Sequence, residues 1–231
     1  MSDGAMTDLT NWNVPGRPFA PLTGRHARLE PLERRHCAAL HAAYADAPQV
    51  WDYLPYGPFP DAGTYADWAM ATAAAGDPVF YAIHDAEGPA GVASYLRITP
   101  QAGTIEIGHL CFSPRLQRTR AATEALGLMI GWAVDAGYRR VEWKCNALNL
   151  ASRRAAQRLG FSFEGVHRQA AVVKGRNRDT AWFSILDGEW PALREAHAAW
   201  LADANFGADG RQRVALAGQT APLLAARDPA L

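Results

Sequence analysis

Between Val79 and Asn146 the chain changes rhythm once, and that change limits the sheets it can build. Val79 to Asp85, Gly91 to Ile98 and Thr104 to Phe112 read as apolar strands. Breaks at Ala86–Pro89 and Pro100–Gly103 separate them, and links this short join antiparallel neighbours into a meander. After Phe112 the period lengthens. About Ala121 to Ala136 reads as a helix, Arg140 to Asn146 as a strand and Leu150 to Leu159 as a second helix. A helix between two strands favours a parallel pair with a right-handed crossover. The expected fold is mixed α/β: a central mixed sheet in which an antiparallel meander leads into a parallel βαβ crossover, with helices on both faces.

The flanking segments extend this plan. Arg25 to Leu29 reads as a first strand, and Pro31-Leu32-Glu33 as the entry to a helix carrying Ala38, Leu40, His41 and Tyr44. Gln49 to Pro60 is too rich in proline for regular structure, and Thr64 through Ala75 reads as an Ala-rich helix. Phe163 to Val173 and Thr180 to Leu186 form a closing hairpin through Lys174–Asn177, followed by a helix from Pro191 to about Ala204. The domain reading is a flexible arm over 1–17, from which Trp12 is available to dock, a single domain over 18–204 and a loosely ordered tail over 205–231.

Composition removes several classes of function. The 231 residues carry a formal net charge of zero, so no global field draws the chain to nucleic acid or anionic lipid. No window approaches the roughly 20 apolar residues of a membrane span. Met1 to Arg17 does not read as a signal peptide. Cys37, Cys111 and Cys145 are odd in number and widely spaced, which argues against a disulfide framework and for a reducing, cytoplasmic setting. Without a CxxC or HExxH pair, no metal is expected. Lysine occurs only at positions 144 and 174, which reads as coding bias.

The chemistry concentrates between Thr104 and Gly165. Arg115 to Ala122 sits where a strand hands over to a helix, so its amides and the helix dipole can face an anion. Asn149 can cap the next helix and Gly160 suits a left-handed exit. Gln117-x-x-Arg120-x-Ala122, Asn149-x-x-Ser152, Gly160-Phe161 and Glu164-Gly165 together resemble the GNAT superfamily of acyl-CoA N-acyltransferases, whose loop reads Q/R-x-x-G-x-G/A. Thr123-Glu124-Ala125-Leu126 looks like the branch that includes ribosomal-protein N-terminal acetyltransferases. Arg120 departs from the pattern. It is either an adapted phosphate clamp, together with Arg118, or the mark of a lost one.

The resemblance implies a GNAT-like fold and acetyl-CoA, or another acyl-CoA, as co-substrate without a metal. Gln117, Arg118, Thr119, Arg120, Ala121, Ala122 and Thr123 would meet the phosphates, and Asn149 and Ser152 the pantetheine arm. A backbone amide at Leu110, Cys111 or Phe112 would meet the oxyanion. Direct attack by a primary amine needs a proton acceptor, for which Glu106, then His109, then Glu142 are the candidates. Glu106 and His109 lie three apart on one strand and so are expected on opposite faces. Ser152 could protonate the thiolate or simply support the helix cap. Trp51, Tyr53, Tyr56 and Phe59 fall where the family builds its acceptor wall, and they could equally pack the first helices onto the sheet. The acceptor would be a protein N-terminus or a small molecule, and the resemblance also allows a homodimer. A non-catalytic acyl-CoA sensor and a succinyl-CoA-using transferase are the alternatives.

Overall fold

Eight strands join edge to edge in the computed structural model, which describes residues 8–231. In chain order these are β1 (Leu22–Thr23), β2 (Arg28–Pro31), β3 (Val79–Asp85), β4 (Gly88–Thr99), β5 (Thr104–Phe112), β6 (Arg140–Asn146), β7 (Ser162–Val173) and β8 (Arg176–Leu186). They lie in the order β1-β2-β3-β4-β5-β6-β8-β7. The helices are α1 (Arg34–Tyr44), α2 (Ala62–Ala74), α3 (Arg120–Asp135), α4 (Leu150–Leu159), α5 (Trp190–Leu201) and the short α6 (Leu216–Thr220). The β3–β4–β5 meander is antiparallel, whereas β5 and β6 pair in parallel around the α3 crossover, as the change of rhythm requires.

The parallel pairing is short. It runs from Thr104↔Arg140 to Glu106↔Glu142, and beyond Glu106 the two strands part. Next to the parting, the β4–β5 register slips between Ser94↔Gly108 and Val92↔Cys111, with His109 at φ 51°. A bulge adds a residue to one strand and bends it. Here it turns the end of β5 away from β6 and opens a notch in the middle of the sheet.

Each face of the sheet carries its own core. Ile105, Ile107, Val141, Phe183 and Ile185 pack under Ala125, Met129 and Ile130 of α3 and Leu193 of α5. On the opposite face Phe80, Ala82, Val92 and Cys111 pack under Leu40 and Tyr44 of α1 and Tyr65 and Ala69 of α2. This second cluster stops at β5. The same face of β6 and β8 is left to Glu142, Lys144 and Trp182, only partly buried.

The strand expected from Arg25 begins at Arg28 instead, as β2, for a specific reason. The amides of Arg25, His26 and Ala27 donate to the Glu124 carboxylate of α3 at 2.9, 2.5 and 2.8 Å instead of to a ladder. Residues 205–231, expected as a loose tail, are instead anchored. Leu216 and Thr220 are fully buried, the Thr220 hydroxyl donates to the Arg158 carbonyl, and Asp228 pairs with Arg153. Of the expected flexible arm, residues 1–7 lie outside the described residues. Trp12 does dock, its Nε1 donating to Gly137 O at 3.1 Å, and Tyr138 donates to Gly16 O. Among the described residues no helix is long and apolar enough to cross a membrane.

Candidate active site

The notch is flanked by two helix N-termini. At α3, Thr119 is the cap: its hydroxyl accepts from Ala122 N at 3.1 Å and donates to Leu116 O at 2.7 Å. Thr123 N bonds Thr119 O, so the amides of Ala122 and Thr123, expected to meet phosphate, are spent inside the helix. Their side chains and that of Ala121 are buried in the core. Arg120 and Ala121 are the first two helical residues, and their amides precede the first intrahelical bond. These are the donors the helix offers an anion. Gln117 steadies the loop through Nε2 to Phe112 O at 2.8 Å.

The arginines divide differently from expectation. Arg120 opens the helix and needs no special backbone, but exposed Arg118 sits at φ 62°. The left-handed position that favours glycine is therefore 118, where a side chain costs roughly 1–2 kcal/mol. Arg120 is not poised as a phosphate clamp. Its guanidinium lies on the Phe206 ring, 3.4 Å from the centroid, and 3.4 Å from Asp203, which also holds Arg25 at 2.7 Å.

At α4, Asn149 Oδ1 accepts from Ser152 N at 3.0 Å, which leaves the two N–H donors of its side-chain amide. Ser152 Oγ accepts from Trp143 Nε1 at 3.1 Å and keeps its own proton to give. Gly160 closes the helix at φ 102°, and a Cβ there would lie 2.4 Å from Leu193 Cδ2.

Glu106 stands where the strands part. It is 2% exposed, and its Oε2 lies 3.3 Å from both Arg97 Nε and Lys144 Nζ, at ion-pair distance without hydrogen-bond geometry. Burial outweighs both cations and pushes the carboxyl up to about 7. Glu142 is drawn to Arg140, 2.7 Å away, and lies 3.8 Å from Arg97. The bulge carries His109 onto the face that holds Glu106, contrary to the opposite-face expectation. There it stacks on Tyr56 and accepts or donates at 3.1 Å through Nδ1. Burial, with Lys144 and Arg178 nearby, lowers this imidazole to about 4, so it is neutral and a weak base. Cys111 is no nucleophile candidate: burial pushes its thiol up to about 12, and its carbonyl accepts from Tyr44. Leu110 and Phe112 pack on the α3 side.

The aromatic segment splits in two. Trp51 is 4% exposed and packs edge-on against Tyr44 and Phe59, so Trp51 and Phe59 belong to the helix core, not to an acceptor wall. Tyr56 reaches His109, and exposed Tyr53 donates to Leu148 O at 3.3 Å, just before α4. Lys174 of the β7–β8 turn donates to Trp51 O at 2.9 Å. The segment thus touches both the α4 loop and the hairpin.

Sequence reasoning passed over Arg97 and Trp182 and took Lys144 for coding bias. Lysine scarcity was the available signal: Lys144, one of two lysines in the chain, lies at this site. A metal centre does not fit the nearest cluster, Glu30, His36 and His84, whose donor atoms lie within 4.8 Å of one another. His36 Nδ1 accepts from Glu33 N, so Nε2 carries the proton and faces Glu30, while a ligating histidine donates through its second nitrogen. Arg28 and Arg35 already pair with that carboxylate.

Known proteins share this fold. Residues 26–162 match the model of the acetyltransferase (GNAT) domain. A GCN5-related N-acetyltransferase from Brucella melitensis is 44% identical, with a TM-score of 0.89 over 92% of this chain and 100% of its own. A probable acetyltransferase of the GNAT family from Chromobacterium violaceum is 45% identical, with a TM-score of 0.78 over 81% of this chain and 97% of its own. RimL, a ribosomal L7/L12 alpha-N-protein acetyltransferase solved with coenzyme A, shares the fold at 20% identity and a TM-score of 0.61, over 72% of this chain and 98% of its own. Among curated proteins the chain has no match. The domain match spans more than half of the chain and takes in the notch with both of its helix N-termini, and on that ground the chain belongs to the GNAT family of acyl-CoA-dependent acetyltransferases.

Proposed function

We propose that this acetyltransferase moves the acetyl group of acetyl-CoA onto a primary amine in a ternary complex, with Glu106 as the base. One observation carries the reading: a single bent strand, β5, ends at an anion-ready helix N-terminus and holds a buried carboxyl of near-neutral pKa at its parting from β6. The diphosphate would rest on the Arg120 and Ala121 amides, and the pantetheine arm would run along the notch past Asn149. A β5 amide near Leu110–Phe112 would receive the oxyanion.

An ammonium acceptor gives one proton to ionised Glu106, and the neutral nitrogen attacks the thioester carbon. Collapse breaks the C–S bond, and the nitrogen's second proton leaves with the CoA thiolate, for which Ser152 is a relay. His109, lowered to about 4, suits this duty less well than Glu106. The test is thiol release from acetyl-CoA and succinyl-CoA across an amine panel, with calorimetry of donor binding. Saturable heat with acetyl-CoA but no thiol release from any amine would support a sensor instead. Faster turnover with succinyl-CoA would change the donor.

A further inference from the structure

Two buried N–H donors on β8 have no acceptor, Arg178 Nε and the Trp182 indole Nε1. Both belong to the open face that holds Glu106. The Trp182 ring lies 5.1 Å from the Arg97 guanidinium and 5.2 Å from Lys144 Nζ, the two cations that reach Glu106. Arg178 is near enough to His109 to act on its charge. A buried donor left unpaired costs desolvation, so two on one face beside the candidate base call for an acceptor.

Charge points the same way. Arg97 and Lys144 share the Glu106 carboxylate, Arg97 also lies 3.8 Å from Glu142, and Arg178 stands beside His109. Of the other acids on this face, Glu164 is held by Arg140 in a bidentate pair at 2.6 and 2.5 Å, and Glu142 lies 2.7 Å from the same arginine. With Arg140 counted once, the four cations Arg97, Lys144, Arg178 and Arg140 meet the three carboxylates Glu106, Glu142 and Glu164, and the unpaired β8 atoms are donors, so a group that fits is an acceptor that carries negative charge.

We infer that the acetyl acceptor is an amine that also carries an oxyanion, a carboxylate or phosphate, bound by the unpaired N–H donors of Arg178 and Trp182 beside Arg97 and Lys144. The inference rests on the transferase reading above and names the acceptor of that same site. Its amine then faces Glu106.

The test uses the full chain, acetyl-CoA and matched amines with and without the acid: β-alanine against β-alaninamide, C-terminally amidated Asp-Ala against amidated Asn-Ala, and O-phosphoethanolamine against ethanolamine. The inference expects at least one acidic member to exceed its neutral twin by roughly 10-fold or more in kcat/KM. The winning pair separates carboxylate from phosphate. Arg178→Met and Trp182→Phe, which keep most of the side-chain volume, should erase that preference while acetyl-CoA affinity and unfolding temperature hold. Neutral twins reacting equally well, a preference that survives both substitutions, or bound acetyl-CoA with no acidic amine acetylated would each overturn the inference. Failure to bind acetyl-CoA at all would remove the transferase reading beneath it.

Discussion

Arg153 of α4 and Asp228, 75 residues apart, close a bidentate ion pair at 2.6 and 2.5 Å with side chains only 7% and 0% exposed. Arg153 also donates to Ala147 O at 2.8 Å, so one guanidinium ties the last residues of the chain to the loop that presents Asn149. Removing one partner of a buried pair strands the other charge, at about 3–5 kcal/mol. Asp228→Ala should lower stability by that amount in denaturant unfolding and raise the KM for acetyl-CoA. A loss below about 1 kcal/mol would mean that the pair is hydrated and the tail is not an anchor.

Glu106 ties activity and stability to the same proton. Ionised base accumulates as pH rises through about 7, so kcat/KM should climb across that range and level off above it. The folded-state pKa lies above the ordinary 4.5, so the folded chain binds more protons between those values. Stability from burying the neutral carboxyl is therefore full below about 4.5 and is lost as pH rises through 7. Glu106→Gln should lower kcat by roughly 10²–10⁴-fold, abolish the inflection and flatten the stability slope. A variant that keeps the wild-type pH profile would assign the base elsewhere.

Arg118 and Arg120 should behave unlike each other. Arg118→Gly relieves a left-handed side chain worth roughly 1–2 kcal/mol, against an entropic loss of about 0.5–1 kcal/mol for glycine. A net gain of up to about 1 kcal/mol is expected from thermal unfolding. Arg120→Ala should leave acetyl-CoA affinity within about twofold, because the helix amides and not the guanidinium face the ligand. A tenfold loss in calorimetry would restore Arg120 as a clamp.

The aromatic segment makes a paired test. Trp51→Ala opens a cavity in the α1–α2 core and should cost about 3–5 kcal/mol. Tyr53→Phe removes only an exposed hydroxyl and should change stability by less than about 0.5 kcal/mol. If Tyr53 borders the acceptor path, that variant alters the acceptor KM and leaves donor affinity alone.

What was legible in the sequence was local. Thr104–Phe112, Arg140–Asn146 and Leu150–Leu159 keep their expected limits because periodicity, caps and turn residues act over a few positions. The illegible parts depend on distant partners or on one irregular residue. A period-two pattern cannot show the bulge that turns His109 to the side of Glu106. Glycine marks left-handed backbone by its absent side chain, and Arg118 gives no such sign. Nothing near Arg25 reveals that its amide bonds a carboxylate on α3, and nothing near Asp228 reveals Arg153. Lys144 was visible as a rarity, but only the register of β5 and β6 shows that it meets Glu106.

The Glu124 carboxylate, which collects three amides from the 25–27 turn, acts as a rivet between β2 and α3. A glutamine could not accept all three bonds, because half of its head group donates. Any shift of α3 along its axis would have to break these three bonds.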